Sequence, residues 1–524
     1  MPKMNILIGC DDFQNRTGMP MYILTLSREL IKRGHNVEIV SFLTGLVPNT
    51  EIRQHIYWTF DPTSFKPDVL LLNEPRSERL LNYYPCVPAY NIIHSPRPVD
   101  EPIRRQPQIR KYIAVKKEDL AYIKSKGIDE KFITNIPIPI DVKHFRSWKR
   151  PRTWKKKHVW DIASIATFDA WRGPMLKDLI SRAKKGKKVL LMGQDHGAIG
   201  DLIQYRDISN LTIIPIAQPD VRPFIARSKC VAGLFEGTIT AEAWAMGKAT
   251  WIYDREGRVV KQYSKPPKDF MKYDIRSVAR QFEDLFNEKW ADVIIPHKKS
   301  PKMDAYLKQC VASIPKRNYN IHVIEGGSFA QNCNAGAKKA KTGTLIFFNN
   351  DMIANPMALW EILDHKADIC GGQTIYPDGR DQYCGLGLKW NPYKQRVEYF
   401  LTANTNEACM ASGGFFKVSK EWFMKAGNPE YRGFDEGYVT GGEDQDFMLN
   451  AITKGATVGF NNIPVLHHLS TSPGRFEHCE KNEDRYRKRW LDRIDKLRRI
   501  FHVMKGCEYQ MYHLARKCLK RKSK

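Results

Sequence analysis

The sequence predicts an α/β protein of three successive α/β units followed by a basic helical tail. Three observations favour this class. Short apolar runs that fit buried strands alternate with segments of helical periodicity. The chain has 524 residues, more than one ordinary domain holds. Apolar residues make up 42% of it, which is enough to form cores and excludes a wholly disordered chain.

The first unit begins with a strand, a helix and a second strand. The run MNILIGC fits a buried parallel strand, and MYILTLSRELIKRGH carries apolar residues at helical spacing. Gly34 stands where a glycine is expected to end that helix, and NVEIVSF fits the second strand. The runs DVLLLN, YNIIH and KYIAV continue the series. Strand, helix and strand within about forty residues indicate a βαβ unit.

A basic stretch around Pro151 separates the first unit from the second. Residues 143–158 contain eight Lys and Arg residues. The second unit is predicted from the runs DIASIA, KKVLLMG, LTIIPI, CVAGLF and ATWIYD. The third unit begins at ADVIIPHKK and continues through NIHVIEGG and GTLIFFNND. The sequence shows no short-period repeat, which argues against a solenoid.

Charge and composition restrict the partners and the compartment. Lys and Arg total 84 and Asp and Glu total 57, so the net charge is +27, which favours polyanions, anionic lipid headgroups or phosphorylated small molecules. No apolar run approaches the ~20 residues of a membrane span, and no signal peptide is expected. The 11 Cys are scattered without paired spacing. They predict reduced thiols in a cytoplasmic protein rather than disulfides or a zinc site.

The third unit carries the clearest chemistry. The strand LIFFNNDM brings polar residues to the edge of a sheet where ligands of open α/β sheets bind, namely Asn349, Asn350 and Asp351. One carboxylate among oxygen ligands suits Mg²⁺ or Mn²⁺. Further along, Glu443, Asp444 and Asp446 stand on a Gly-Gly turn that enters a helix, where the helix dipole keeps acids ionised. Such an acid is either a general base or an ordinary N-terminal helix residue.

In this order, the motifs of residues 291–475 resemble family 2 glycosyltransferases of the GT-A fold, in particular the rhamnosyltransferase-like branch. The resemblance implies inverting transfer from a nucleotide sugar with Mn²⁺ or Mg²⁺. It assigns catalysis to Asp444 with Glu443 positioning the acceptor, donor contacts to Pro296, His297, Glu325, Asn334, Asn349 and Asn350, acceptor contacts to Gly413, Gly414 and Asp446, and metal binding to Asp351 and to His467 or His468.

Residues 1–270 resemble family 4 glycosyltransferases of the GT-B fold. The resemblance lies in the segments TGMPMYILTLSRELIKRGHNVEIVS, IIHSP, KFITNIPIPIDVKHF and FEGTITAEAWAMGKATWIYD. It implies a retaining, metal-independent site in which His94 and Glu236 contact the transferred sugar, and Gly18, Arg172 and Glu242 bind the donor. The two glutamates are six residues apart where the family has eight. An active transferase and a degenerate binding module therefore both remain open for this half.

Together these patterns predict four regions. Residues 1–148 and 149–288 would be the acceptor-side and donor-side Rossmann-like domains of a GT-B unit, residues 289–479 a GT-A domain, and residues 480–524 a basic helical tail. The tail contains 16 Lys and Arg residues and only six Asp and Glu residues. The leading hypothesis is a bifunctional glycosyltransferase that adds sugars to a glycan or a lipid-linked acceptor.

Three further alternatives concern the acceptor, the tail and the activity. A basic enzyme also suits hydroxymethylated bases of phage or viral DNA as acceptors. The basic linker and tail fit an anionic membrane surface. The tail also carries aromatic residues interleaved with basic ones, which would stack on bases, lie at a membrane interface or pack on the protein. These aromatic residues are Tyr486, Trp490, Phe501, Tyr509 and Tyr512. The last alternative is a non-enzymatic sugar-binding scaffold.

Overall fold

The computed structural model describes residues 2–11, 18–42, 51–73, 75–94, 102–154, 158–168, 172–193, 204–216, 218, 220–391, 396–406, 408–439, 441–468 and 479–491. The chain divides into two compact units, unit 1 with residues 1–286 and unit 2 with residues 287–524.

The described strands of unit 1 form two sheets. Those of the first sheet are all parallel, in the order β3-β2-β1-β4-β5-β6-β7. They are β1 (Asn5–Cys10), β2 (Asn36–Ser41), β3 (Arg53–Ile56), β4 (Val69–Asn73), β5 (Ala89–Ile93), β6 (Ile109–Ala114) and β7 (Ile133–Asn135). Every residue of β4 and β5 is buried. Central parallel strands are covered on both faces, which explains their continuous apolar runs.

The helices that accompany this sheet are α1 (Gly18–Lys32), α2 (Leu80–Tyr83), α3 (Lys117–Ser125) and α4 (Val142–Arg146). The apolar face of α1 carries Tyr22, Leu26 and Leu30 into the core. Gly34 follows α1 with a φ of +96°, a left-handed conformation that glycine adopts without a steric penalty.

The second sheet of unit 1 has the order β10-β9-β8-β11-β12-β13, and only its edge strand β13 runs antiparallel among the described strands. The strands are β8 (Trp160–Ile165), β9 (Val189–Met192), β10 (Leu211–Ile214), β11 (Ser228–Leu234), β12 (Ala249–Tyr253) and β13 (Val259–Tyr263). The helices are α5 (Gly173–Lys184), α6 (Arg222–Ala226), α7 (Thr238–Ala245) and α8 (Ile275–Phe286).

Helix α8 ends unit 1 by returning to the core of the first sheet. Phe282 and Phe286 are fully buried, and the ring of Phe286 lies 5.0 Å from that of Tyr90 in β5. Glu283 binds Arg33 Nε and His35 Nε2, each at 2.9 Å. One hydrophobic cluster contains residues of both sheets, such as Ile92 of β5 and Ile252 of β12, together with residues of α8.

Unit 2 is built on a mixed sheet with the order β15-β14-β16-β23-β18-β24-β17 among its described strands, and β19 pairs with β18. A small antiparallel sheet has the order β21-β20-β22. The strands are β14 (Ala291–Pro296), β15 (Tyr319–Ile324), β16 (Thr344–Phe348), β17 (Met352–Ile353), β18 (Ile369–Ile375), β19 (Asp381–Tyr383), β20 (Gly385–Asn391), β21 (Arg396–Thr402), β22 (Met410–Ala411), β23 (Phe415–Ser419) and β24 (Val458–His467). Strands β14, β15 and β16 are parallel to one another, so their carboxyl ends lie at one edge.

The helices of unit 2 are α9 (Pro301–Ser313), α10 (Phe329–Lys339), α11 (Pro356–Asp364), α12 (Lys420–Ala426), α13 (Glu443–Thr453) and α14 (Cys479–Tyr486), and a π-helical turn, Arg487–Leu491, follows α14. The predicted α/β class with parallel sheets is confirmed, whereas most of the predicted basic tail lies outside the described residues. Among the helices that the structure describes, none is long and apolar enough to cross a membrane.

Candidate active sites

Three segments of unit 2 meet beside the end of β16. The backbone N–H of Asn349 donates to the carbonyl of Gly414 at 2.9 Å. The N–H of Gly413 donates to the Asp444 carboxylate at 2.7 Å. The structure thus brings together the Asn-Asn-Asp segment, the Gly-Gly turn and the Glu-Asp pair, which are separated by up to about a hundred residues of chain.

Asp444 lies in the first turn of α13, close against the Gly-Gly turn. Gly442 precedes that helix with a φ of +100°, a backbone conformation suited to glycine. A Cβ atom at Gly413 would lie 2.8 Å from Asp444 Oδ2, so the close approach requires glycine there. The N–H of Gln445 donates to Asp444 Oδ1 at 2.9 Å. Two backbone donors at the helix N-terminus thus orient this carboxylate.

Asp351 is paired with His467. Their Oδ1 and Nε2 atoms are 3.2 Å apart, and both side chains are buried. The pairing of β17 with β24 places His467 opposite Met352, next to Asp351 in the chain. His468 instead gives its backbone N–H to the Asp351 carbonyl at 3.0 Å, and its ring stacks on Tyr306 at 4.5 Å. Of the two predicted histidines, His467 is therefore the one whose side chain faces Asp351.

The Asp351–His467 pair offers one carboxylate and one imidazole to a cation. Among the described residues there is no group of three His, Cys, Asp or Glu side chains that could hold a metal ion. A carboxylate, an imidazole and the phosphate oxygens of a substrate are donors that suit Mn²⁺ or Mg²⁺. The residues present therefore fit an ion that is shared with a bound diphosphate rather than one held by protein alone.

Two residues that the sequence analysis did not single out support His467. Gln382 Oε1 lies 2.7 Å from His467 Nδ1, and the Tyr383 hydroxyl lies 3.3 Å from the same atom. Both belong to β19, a short strand that no sequence pattern indicated. Partners on the second ring nitrogen orient a metal-binding or proton-transferring imidazole.

His297 marks the side of the site formed by β14 and β15. Its Nδ1 lies 2.7 Å from Asn350 Nδ2, and its Nε2 lies 2.8 Å from Asp304 and 3.9 Å from Glu325. Pro296 ends β14 and pairs with Ile324, the residue before Glu325. Since Glu325 is half-exposed at this edge, its carboxylate is available to a ligand.

Two other predicted residues of unit 2 make contacts within the protein. Asn334 Nδ2 donates to the Phe434 carbonyl and to the Glu436 carboxylate, both at 2.9 Å. Asn334 Oδ1 accepts from the Phe434 N–H at 2.8 Å.

Asp446 accepts from Trp490 Nε1 at 2.7 Å and lies 3.0 Å from Arg489 Nε. Burial raises the pKa of Asp446, opposed by Arg489. In this conformation both side chains fix loops around the site.

The predicted site of unit 1 lies where the segments that follow β5 and β6 approach the β11–α7 turn, with Lys116 Nζ 5.6 Å from the Phe235 ring. His94 follows β5, and its ring meets Tyr22, one turn into the helix that Gly18 begins, edge-on at 4.9 Å. Among the described residues its buried Nε2 has no hydrogen-bond partner. Burial, together with the charge of Lys116, lowers the pKa of His94 to about 3, so the imidazole is neutral.

Lys116 and Arg255 are cations of this region that the sequence analysis missed. Lys116 Nζ donates to the His94 carbonyl at 3.3 Å and lies 5.6 Å from the Phe235 ring, while Arg255 lies 6.0 Å from the same ring. Burial lowers the pKa of Lys116, and the neighbouring charges of Arg172 and Arg255 add to that effect. Several cations in one place favour an anionic ligand.

Phe235 itself has a φ of +56°, a strained conformation for a residue with a side chain. The turn that it opens carries Glu236. This carboxylate accepts from the hydroxyls of Tyr273 at 3.0 Å and Tyr263 at 3.2 Å and from Lys261 at 3.2 Å. Burial would raise its pKa, but these bonds outweigh burial and lower it.

Glu242 lies in α7 and is partly buried. Burial, together with the charge of Asp220, raises its pKa to about 8. Glu242 is therefore protonated near neutral pH, whereas Glu236 is ionised. The two glutamates offer different hydrogen-bonding groups, one with a proton to donate and one that only accepts.

No protein-family model and no curated protein matches the chain. Part of it is similar to solved structures. A glycosyltransferase from Rickettsia africae ESF-5 has a TM-score of 0.45 at 13% identity, covering 55% of this chain and 98% of its own. The Anabaena Alr3699/HepE complex with UDP and glucose has a TM-score of 0.42 at 11% identity, covering 54% and 99%. An alpha-glucosyltransferase in complex with UDP and a DNA 13-mer has a TM-score of 0.36 at 14% identity, covering 55% and 91%.

Proposed function

We propose that the chain is a nucleotide-sugar-dependent glycosyltransferase and that unit 2 contains an inverting site of the GT-A type. The observation that carries this proposal is the pair of contacts at one edge of the unit 2 sheet, Gly413 to Asp444 at 2.7 Å and Asp351 to His467 at 3.2 Å. The Asn349 N–H joins the two segments by donating to the Gly414 carbonyl at 2.9 Å. A general base can take the proton of an acceptor hydroxyl, and a cation-binding pair can hold an ion that stabilises the leaving diphosphate.

In this mechanism Asp444 is the general base. Its carboxylate takes the proton of the acceptor hydroxyl, and the hydroxyl oxygen attacks the anomeric carbon from the face opposite the leaving diphosphate, which inverts the configuration. The Gly413 N–H fixes the orientation of the carboxylate at 2.7 Å. Glu443, buried beside it, helps to position the acceptor.

The donor would bind along the carboxyl ends of β14, β15 and β16. Glu325 and His297 would contact the nucleoside, and Asn349 and Asn350 the diphosphate side. Asp351 and His467 would hold Mn²⁺ or Mg²⁺, which supplies positive charge to the leaving diphosphate. Asn334 and Asp446 would act indirectly, because their side chains bind protein groups.

Unit 1 would be a second transferase site, of the GT-B type and with the opposite stereochemical outcome, retention. Arg172, together with Lys116 and Arg255, would attract the donor diphosphate. His94 and Glu236 would contact the transferred sugar, and Glu242 would bind the donor ribose. The alternative is that this unit only binds a donor or docks a substrate.

The acceptor of the leading proposal is a glycan or a lipid-linked sugar. DNA with hydroxymethylated bases is a second candidate, favoured by the net charge of +27. The proposed domain limits are residues 1–148, 149–288 and 289–479, with the basic tail after them. The tail would dock on an anionic membrane surface if the acceptor is lipid-linked.

A donor-hydrolysis screen tests the proposal. The full chain is incubated with UDP-, GDP-, dTDP- and CMP-sugars, with Mn²⁺ or EDTA, and released nucleotide is measured. Metal-dependent release that Asp351→Ala removes would support the unit 2 site. Metal-independent release that Glu242→Ala removes would support an active unit 1. No release from any donor, with glycan, lipid or DNA acceptors present, would contradict both sites and favour a sugar-binding scaffold.

A further inference from the structure

A second basic surface lies in unit 1, at the opposite end of α7 from Glu236. We call it the basic-aromatic surface, and it consists of Phe145, Arg146, Trp148, Lys149, Arg150, Arg152, Trp154 and Lys248. Helix α7 has eight residues, so its two ends are about 12 Å apart. The residues of this surface have no role in the sugar-transfer sites proposed above.

The charge of this surface is uniform. Residues 142–154 contain five Lys and Arg residues, all exposed, and no Asp or Glu. Of the two acids that flank this stretch, Asp141 caps the N-terminus of α4 by accepting the His144 N–H at 2.9 Å, and Asp161 pairs with Lys229 at 2.7 Å. The surface therefore attracts anions without an internal carboxylate to neutralise it.

A cavity of about 340 Å³ opens within this surface. The lining contains two aromatic residues, three cations and no acid, namely Phe145, Arg146, Trp148, Arg150, Ala226, Ala245, Met246 and Lys248. Lys248 Nζ is fixed by the carbonyls of Ala226 at 2.7 Å and Ser228 at 2.9 Å. The volume lies at the lower end of the range of ligand pockets, and the lining suits a flat ring that carries a phosphate.

The aromatic rings are held in place at the rim of the cavity. The rings of Trp148 and Trp154 lie 5.5 Å apart, and Arg227 stacks on Trp154 at 4.8 Å. Arg150 donates a hydrogen bond to the Trp154 carbonyl. Both tryptophans are partly buried. The rings are therefore positioned to stack on a ligand rather than to insert into a bilayer.

We propose that the basic-aromatic surface binds single-stranded nucleic acid. One unpaired base with its phosphate enters the cavity against Trp148, and neighbouring phosphates contact exposed cations outside it, such as Lys149 and Arg152. Interleaved cations and aromatic side chains are the usual means of binding single strands. A base that is stacked in a duplex cannot enter the cavity. A membrane is less suitable, because α4 has only five residues and offers no long amphipathic helix.

This inference does not depend on glycosyl transfer, and its test measures binding. The full chain is titrated into a fluorescent 20-nucleotide single strand, and anisotropy is followed at several salt concentrations. A variant with Arg146→Gln, Lys149→Gln, Arg150→Gln and Arg152→Gln should bind at least tenfold more weakly. The slope of log affinity against log salt concentration should fall by about 0.7 for each phosphate that the variant no longer binds.

The matched control removes four charges that are exposed and scattered over unit 1, with Lys32→Gln, Lys66→Gln, Lys124→Gln and Lys265→Gln. It should change the affinity less than threefold. Equal weakening by both variants would show that only net charge matters and would overturn the proposal. An unchanged affinity of the first variant would also overturn it.

Three further experiments test the stacking on Trp148, the preference for a single strand over a duplex, and binding to a membrane. Trp148→Leu should weaken single-strand binding about tenfold, whereas Trp58→Leu, which changes a side chain that is 70% exposed, should not. The same sequence as a duplex should bind more weakly than the single strand. Co-sedimentation with phosphatidylserine vesicles that the fourfold variant abolishes, while it still binds the oligonucleotide, would assign the surface to lipid instead.

Discussion

The carboxylate of Asp444 accepts a hydrogen bond from the backbone N–H of Gly413 at 2.7 Å, across 31 residues of chain. The bond joins the first turn of α13 to the turn before β23. It fixes the proposed general base against a part of the backbone that has no side chain. The geometry of the base therefore depends on the size of residue 413 as well as on the acid itself.

Replacing Gly413 with Ala should displace the base. The new Cβ would lie 2.8 Å from Asp444 Oδ2, so the carboxylate must move. A displacement of about 1 Å at a catalytic group can cost ~10²-fold in rate. Transfer by unit 2 should fall by about that factor, with donor affinity retained. The control is Gly343→Ala, where a Cβ meets nothing within 4 Å. Full activity of Gly413→Ala would contradict the proposed position of the base.

Asp444→Asn tests the chemistry without changing the shape. The amide oxygen still accepts the Gly413 N–H, so the fold should persist, but the group no longer takes a proton. Loss of a general base lowers the rate by about 10²–10⁴-fold. Metal-dependent transfer should fall accordingly, while nucleotide binding measured by calorimetry should not change. Asp378→Asn, at an acid whose side chain is 51% exposed, is the control. Undiminished transfer by Asp444→Asn would refute its role.

The sequence predicts the strands of this site better than its contacts. The runs VIIP and LIFF are apolar, as expected of strands buried on both faces, and this pattern is visible without a structure. The supporting residues cannot be predicted in this way, because Gln382 and Tyr383 reach His467 through the pairing of β19 with β18 and of β18 with β24. Such distant pairings leave no local pattern.

The same limit applies to the cations of unit 1. Arg172 belongs to a motif, but Lys116 and Arg255 stand 139 residues apart in the chain and meet only around the Phe235 ring. Asp446 shows the converse. Its place beside Asp444 suggests an acceptor contact, while the structure directs it to Trp490. Sequence spacing locates a residue on an element and does not settle which neighbour it contacts.

Metal dependence should reside in the Asp351–His467 pair. Asp351→Asn and His467→Gln should each abolish the Mn²⁺-stimulated part of nucleotide release and raise the Mn²⁺ concentration needed for half-maximal activity by at least tenfold, since removing a ligand weakens metal affinity. His468→Gln should have a much smaller effect, because that ring stacks on Tyr306. Titration of Mn²⁺ by its paramagnetic resonance signal, with UDP present, checks binding apart from turnover. Equal effects of the two histidine variants would contradict the assignment to His467.

The indole of Trp490 should hold the start of α13 in place. Its Nε1–H donates to Asp446 at 2.7 Å, two residues after Asp444, and both partners are buried. Trp490→Phe keeps an aromatic ring and removes the donor, which costs about 1–3 kcal/mol of stability for a buried partner. We expect a lower kcat of unit 2 with an unchanged KM for the donor.

The control for this position is Trp58→Phe, a change at an exposed tryptophan of unit 1. Asp446→Asn retains an oxygen that accepts from Trp490, and it should keep more activity than Asp446→Ala. Thermal unfolding of each variant separates a loss of rate from a loss of folded protein. If Trp490→Phe changed only the unfolding temperature, the indole would be structural and would not position the base.

Glu242 should make unit 1 less stable as the pH rises. Its pKa in the folded chain is about 8, against an ordinary value of 4.5, because burial and Asp220 disfavour the charged form. Below pH 4.5 the group is protonated in both the folded and the unfolded chain, and its contribution does not vary. Between about pH 4.5 and 8 the unfolded chain loses this proton and the folded chain keeps it, so the free energy of unfolding falls through that window.

Glu242→Gln removes this titration and mimics the protonated side chain. The unfolding temperature of unit 1 should therefore fall by several degrees less between pH 5 and pH 8 in this variant than in the unchanged chain. Glu256→Gln, at an acid whose side chain is 64% exposed, should behave as the unchanged chain does. A pH dependence that Glu242→Gln leaves intact would show that Glu242 is ionised in the folded protein. In that case the carboxylate would enter donor binding as an acceptor only.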